Sequence, residues 1–453
     1  MNPFHTLFRG LKSFILLWAS QALSSMGSAM TSYALVIWTY GESGQAMSLS
    51  LLMLCSTLPS IALSFFAGAL VDGLNKKRVM LFCDAGAALL SVLIWGLYAT
   101  NQLNLAALCA ITALINALNA FQIPASSVAT TMLVPRDQYT RVGGLHAFSN
   151  ALSSLLSPAL ATAVLSLGGL ETVFCLDLAS FFLAFGTLIF GIRLPEPPHA
   201  RAAVQPGAVW ARCKEGFRYL SEHGTLMRLI LFFSAVNLLA SMGGNGLMPA
   251  LVLSRSSGNQ ALLGLVSSAI GLGSLLGSLG ATLLPAPRRR MRLIFLCTGL
   301  SFALCDMTWG LSQSGWVWIL GALLGNFPLP FLNANLTAIL RERVPLSMQG
   351  RVFSARDTLQ YATIPIGYVL GGFLADHVFE PLMRVSSPMR RLFAPLVGSG
   401  AGSGIAVLFI LCGFLGLVMS LAQLLDRRYD GLERSMNTIL PSEGISEGDS
   451  YRE

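Results

Sequence analysis

Gly68-Ala69-Leu70-Val71-Asp72-Gly73-Leu74-Asn75-Lys76-Lys77-Arg78 closes one apolar run of membrane-spanning length and opens the next. A glycine near the end of a span lets a neighbouring helix come close. The aspartate falls where the chain leaves the apolar run, and three cations crowd a connection of only a few residues. Read alone, the stretch is also an ordinary positively charged turn of any polytopic protein, so the number of spans around it decides.

Composition answers first. The 453-residue chain is 54% hydrophobic and only 11% charged, with a mean hydropathy of +0.66. Soluble domains run near a quarter charged. Apolar runs of about 20 residues separated by short loops mark a helical membrane protein. The net charge of +8 therefore reflects cations gathered on one side of a bilayer, with no nucleic-acid partner implied. The eight cysteines show no CxxC spacing, and His5, His146, His199, His223 and His377 are scattered, so neither a disulfide framework nor a metal site is expected. The N-terminal run from Phe14 to about Tyr40 is too long for a signal peptide and lacks an Ala-x-Ala cut. It is expected to remain as the first span.

Twelve spans can be drawn, at about 14–40, 48–71, 79–99, 105–133, 142–167, 172–194, 225–253, 262–284, 291–311, 316–340, 352–376 and 405–425. The expected organisation is a six-helix half over 1–194, a cytoplasmic linker over 195–224, a second six-helix half over 225–425, and a polar tail over 426–453. Within the linker, Trp210, Cys213, Phe217 and Leu220 share one helical face beside Arg212, Lys214 and Arg218, the pattern of a helix lying in the interface. The N-terminus, the loops after even-numbered spans, the linker and the tail hold 23 Lys/Arg, whereas the other side holds only Arg255, Arg384, Arg390 and Arg391. The positive-inside rule then places both termini in the cytoplasm. Six of the seven tryptophans fall near predicted span ends, where an interfacial belt would put them.

The halves repeat weakly. Ala34-Leu35-Val36-Ile37 recurs as Ala250-Leu251-Val252-Leu253, and Lys76-Lys77-Arg78 has its counterpart in Arg288-Arg289-Arg290. This is the trace of duplicated six-helix halves. The fold class is thus an all-α membrane protein of twelve transmembrane helices in two pseudo-symmetric halves.

The opening stretch resembles the signature loop between the second and third helices of major facilitator transporters, Gly-x-x-x-Asp followed by cations. Further along stand Gln349-Gly350-Arg351-Val352-Phe353-Ser354-Ala355-Arg356, Pro365-Ile366-Gly367-Tyr368 and Gly371-Gly372-Phe373-Leu374-Ala375-Asp376. With Ser157-Pro158-Ala159 and Glu215-Gly216-Phe217-Arg218-Tyr219-Leu220, they are similar to the macrolide-efflux and enterobactin-exporter branch, particularly exporters associated with natural-product synthetases. The resemblance runs from about residue 14 to 434. It implies a gate in which Gly68, Asp72, Lys76, Lys77 and Arg78 hold the start of the eleventh helix at Gly350 and Arg351. Two departures matter. The fourth helix carries no arginine from Ala106 to Gln122, where drug–proton antiporters of the family often have one. The fifth has Ser153, Ser157, Ala161 and Thr162 in surroundings usually rich in glycine.

An ionisable side chain inside a span is a functional candidate by default. Asp84 in the third helix ranks first for proton coupling, because it lies close to the signature loop. Movement of Lys77 or Arg78 past it would change which protonation state is favoured. Asp357, beside Arg356 on the eleventh helix, ranks second. Asp177 and Asp306 sit on helices that are peripheral in such a fold and read as capping or paired carboxylates. Uncharged polar residues at helical spacing are the candidates for a substrate cavity: Gln21, Ser24 and Ser28 on the first helix, Asn116 and Asn119 on the fourth, and Asn150 on the fifth. Asn237 and Ser241 follow on the seventh, Asn326 and Asn333 on the tenth, and Gln360 and Tyr361 on the eleventh. Each is also readable as interhelical hydrogen bonding.

Neither a catalytic constellation nor a Walker A loop stands in the sequence, so no enzyme activity, cofactor or direct use of ATP is expected. The reading is a monomeric secondary transporter of the bacterial inner membrane. It would export a drug-like or natural-product amphiphile (macrolide, peptide or siderophore class), with protons as coupling ion. Nutrient uptake or lipid flipping by the same fold is the alternative within transport, and a non-transporting membrane sensor the alternative outside it.

Overall fold

The computed structural model describes residues 12–72, 74–134, 139–192, 206–284, 287, 289–345 and 348–426. Among them every regular element is helical. The first half comprises α1 (Lys12–Ser43), α2 (Ala46–Asp72), α3 (Lys76–Ala99), α4 (Leu105–Leu133) and the long α5 (Tyr139–Gly186), which runs into a π-helical turn, Thr187–Gly191. A separate helix, α6 (Pro206–Glu222), lies within the stretch expected as the linker. The second half opens with α7 (Gly224–Ala240), the π turn Ser241–Asn245, and α8 (Gly246–Arg255). Then come α9 (Gln260–Leu283), α10 (Arg290–Phe302), the π turn Ala303–Met307, α11 (Thr308–Leu311), α12 (Gly315–Asn326) and α13 (Leu329–Arg343). The chain closes with α14 (Gln349–Tyr361), α15 (Thr363–Phe373), the π turn Leu374–Phe379, α16 (Glu380–Arg384), α17 (Pro388–Val397) and α18 (Ser403–Leu425).

Ten stretches among the described residues are long and apolar enough to cross a membrane. One of them, Phe148–Gly191, spans 44 residues, more than twice what a bilayer needs. Gly169 interrupts it with φ 68° and ψ −174°. That backbone conformation is open essentially to glycine alone, so the stretch divides into two arms. The serine-rich α1 is 32 residues long and falls outside the ten. With the long stretch divided, the described residues hold eleven such crossings, and α1 is by its length alone long enough to make another.

Packing differs between the two ends of the bundle. At the end away from the Arg- and Lys-rich loops, one core is shared by both halves: Ala34, Leu49 and Phe174 from the first lie in the same buried cluster as Leu251, Val266 and Phe409 from the second. At the basic end the halves keep separate cores. Leu17, Val71, Met80 and Leu188 form one, and Phe232, Phe295, Ile339 and Val352 form the other. Among the described residues the buried cores of the halves are therefore merged at one end and separate at the other.

Two contacts tie the joined end. Tyr33 Oη and Ser267 Oγ stand 2.8 Å apart across the halves. Asp376 accepts hydrogen bonds from the main-chain N–H groups of Ala46 (3.2 Å) and Met47 (2.7 Å), the first residues of α2. These amides have no partner within their own helix, and the carboxylate meets the positive end of the helix dipole. Close approach is possible because position 372 lacks a side chain: a Cβ there would stand 2.9 Å from Met47 Cα. Two of the tryptophans expected in an interfacial belt, Trp309 and Trp318, are instead core residues, 2% and 1% exposed, and the indole N–H of Trp309 donates to the carbonyl of Trp318 at 2.9 Å.

Candidate functional site

A cavity of about 620 Å³ opens near the basic end of the first half, lined among others by Trp18, Gln21, Gln122, Ser126, His146 and Asn150. A second, of about 340 Å³, lies deeper in the same half, lined by Ser24, Ser28, Asn119 and Asp177 together with Gln21, Gln122 and Asp84. Gln21 and Gln122 border both, and both donate to Asp84: Gln122 Nε2 to Oδ1 at 2.8 Å, and Gln21 Nε2 to Oδ2 at 3.3 Å. The carboxylate thus lines the deeper cavity, bonded to two amides that border both. Deeper in, Asp177 is 5% exposed. It accepts from Ser28 Oγ and Thr31 Oγ1, each at 3.0 Å.

All four donors are neutral. Among the described residues no ion pair reaches Asp84 or Asp177. A charged group withdrawn from water needs a compensating charge or a proton, and the described side-chain donors to these two carboxylates are neutral amides and hydroxyls. Asp177, read from the sequence as a structural carboxylate on a peripheral helix, therefore borders the same polar cavity as Asp84. The signal was present in the sequence: an aspartate in an apolar run, with Ser28 and Thr31 one turn apart on α1.

The cations of the signature loop have other partners. Lys76 Nζ donates to the carbonyls of Val71 and Leu74, each at 2.9 Å. Lys77 Nζ donates to Ile189 O (3.0 Å) and Ile192 O (2.7 Å), closing the C-terminal end of the π turn after α5. Basic groups at helix C-termini are favoured by the unpaired carbonyls and the dipole. Arg78 is exposed, and its main-chain N–H is capped by Asn75 Oδ1 at 3.1 Å. Lys77 is thereby anchored to the sixth crossing, which leaves the expected approach to Asp84 without a described contact. The side chain of Asp72 and the surroundings of Gly68 and Gly350 lie outside the described side chains. Arg351 is ion-paired with Glu215 of α6, and Tyr219 Oη donates to Arg343 O at 3.1 Å. Helix α6 is thus docked on the basic ends of α13 and α14, with Leu220 fully buried.

The remaining candidates separate into two groups. Asn150 lines the larger cavity, Asn333 borders an open cleft with Arg341 and Glu342, and Tyr361 is 43% exposed. Others are engaged in helix–helix seams. Asn237 Nδ2 donates to Gln360 O at 3.1 Å, Ser241 Oγ to Asn237 O at 2.7 Å, and Gln360 is itself buried. Together with the Ser234 and Thr363 hydroxyls they stitch α7 to the junction of α14 and α15. Asn116 bonds back to Thr112 O on its own helix, and Asn326 to Ala322 O. Asp357 is paired with its neighbour Arg356 at 2.6 Å, and that guanidinium also lies over the Phe353 ring.

An all-helical bundle with ten or more membrane-spanning stretches and polar cavities within its first half is the architecture of a polytopic membrane transporter. The chain belongs to the Major Facilitator Superfamily, whose sequence profile matches residues 17–368. It is 25% identical to macrolide efflux protein A of Streptococcus pyogenes over 374 residues, covering 81% of this chain and 90% of that protein. It is 26% identical to the multidrug efflux pump Tap of Mycolicibacterium fortuitum over 365 residues, covering 77% and 86%. Among solved structures, the nucleoside transporter NupG superposes with a TM-score of 0.61 over 90% of this chain and 98% of that one, at 14% identity. That similarity bears on the fold.

Proposed function

We propose that the chain exports a drug-like or natural-product amphiphile, of the macrolide, peptide or siderophore class, by exchange for protons. The basic end and both termini face the cytoplasm, and the protein works as a monomer. Efflux proteins among its relatives support the direction and the class of cargo. The observation that carries the coupling is Asp84, held by two amides that border both cavities and with no ion pair to it among the described residues. A carboxylate so placed takes up a proton when its surroundings dry and releases one when they are wetted. Substrate would enter the larger cavity, whose lining of amides and hydroxyls on an apolar frame suits bulky, weakly polar solutes. On this reading the structure represents the inward-facing state.

Expression in a bacterial strain stripped of its main efflux pumps tests the reading. Tolerance is expected to rise for at least one macrolide- or peptide-like compound, with lower intracellular accumulation of that compound. Protection confined to small hydrophilic solutes, or increased uptake, would overturn export.

A further inference from the structure

The second half holds a carboxylate that the export reading leaves without a task. Asp306 lies in the π turn Ala303–Met307 and is 6% exposed. Its Oδ1 is buried and accepts no hydrogen bond. Facing it is a second π turn of this half, Ser241–Asn245, where Gly243 and Gly244 present no side chain; a Cβ on either would stand 3.3 or 3.4 Å from Oδ1. The main-chain N–H groups of Gly244 and of Asp306 itself approach the carboxylate. Such π turns interrupt the regular main-chain ladder and recur at functional sites.

The internal repeat shows what is unusual here. The register that aligns Ala34–Ile37 with Ala250–Leu253 also aligns Gly27 with Gly243, Ser28 with Gly244, and Thr31 with Leu247. In the first half a Cβ on Gly27 would stand 3.2 Å from Asp177 Oδ1. Each half thus brings a carboxylate to the same point of its first helix, Asp177 from the sixth crossing and Asp306 from the ninth. Asp177 is satisfied by the hydroxyls of Ser28 and Thr31. At the equivalent positions Asp306 finds a glycine and a leucine.

Asp306 also borders a cavity of about 110 Å³ lined by Thr298, Ser301, Cys305 and Asn326 among apolar groups. That volume is ample for one small ion or water, and the polar lining offers oxygen donors. Neither lysine nor arginine lines it. The other titratable groups facing Asp306 are thiols, Cys305 beside it and Cys412 of α18, and neither brings positive charge. The described residues contain no group of three or more His, Cys, Asp or Glu placed to hold a metal, so a divalent ion would lack the carboxylates it requires. A single carboxylate with neutral oxygens matches one positive charge.

We propose that Asp306, with Thr298, Ser301 and Asn326, forms a binding site for one monovalent cation, a proton or sodium. The site is separate from Asp84 and lies in the opposite half. Its test uses neither substrate nor gradient, so failure here leaves the export reading untouched.

The experiment is thermal unfolding of the purified full-length protein in detergent. Sodium chloride is titrated against potassium and choline chloride at equal ionic strength, and the series is repeated across the pH range of about 6–9. A sodium site gives a saturable, sodium-specific rise in Tm that Asp306→Asn abolishes. A proton site gives no sodium effect, but a rise in Tm toward low pH whose slope is reduced in Asp306→Asn. Should Asp306→Asn fail to fold, Gly244→Ser supplies Oδ1 with the hydroxyl that Ser28 gives Asp177. It is expected to weaken the sodium or proton response severalfold in a folded protein. The proposal is overturned if the wild type ignores sodium and the folded variant shows the same pH profile of Tm as the wild type.

Discussion

Asp84→Asn is expected to abolish accumulation of substrate against a gradient while sparing exchange of labelled for unlabelled substrate. The measurement is uptake into everted membrane vesicles, run once with an imposed pH difference and once as counterflow. The substitution is nearly isosteric and keeps one oxygen as acceptor for Gln21 or Gln122, whose amides can turn to pair with the new NH₂ group. The fold is therefore retained, and what is removed is a titratable group. Exchange requires no net proton movement and should proceed. Uphill transport at the wild-type rate would make Asp84 structural and pass the coupling role to Asp177 or Asp357.

The second large effect lies at the joined end. Asp376→Ala removes both hydrogen bonds to the start of α2. Hydrogen bonds involving a charged group are worth about 1.5–3 kcal/mol each when one partner is removed. Losing even one such contribution shifts a two-state population by about 10- to 100-fold. The variant should move toward the state open at the end away from the basic loops. In a cysteine-free background, a cysteine introduced at Ser267, which meets Tyr33 across the halves, should react faster with an impermeant maleimide added outside. Unchanged labelling would show that Asp376 does not hold the joined end.

The architecture was legible because it depends on features the sequence displays directly. Apolar runs reveal crossings, and the break between the fifth and sixth spans falls at Gly169, where the backbone requires glycine. Side-chain destinations were harder to read. The transmembrane helices are apolar on nearly every side, so periodicity gives little indication of which face meets a cavity. Asn237, Ser241 and Gln360 accordingly read as cavity candidates, and in the structure they bond across a seam between helices. Asp177 reads as a structural carboxylate on a peripheral helix; it is bonded to two hydroxyls and also borders a cavity inside its own half. Long-range partners carry no local sequence signal. Asp376 meets Ala46 at a separation of 330 residues, and the Arg351 ion pair with Glu215 joins a motif to the linker.

The π turns were likewise beyond reach. A single wide turn leaves the hydrophobic pattern almost unchanged, and only the main-chain geometry reveals Ser241–Asn245 and Ala303–Met307. The lone carboxylate of Asp306 was visible in the sequence; its missing partner was visible only once Gly244 was placed opposite it.

The central claim is proton-driven export through this bundle. Its most direct test is the steady-state accumulation of a compound identified in the tolerance screen, in cells with and without the protein, each with and without a protonophore. Accumulation is expected to be lower with the protein, and the two strains to become equal once the protonophore collapses the gradient. Lower accumulation that persists at full strength in the presence of protonophore would contradict it.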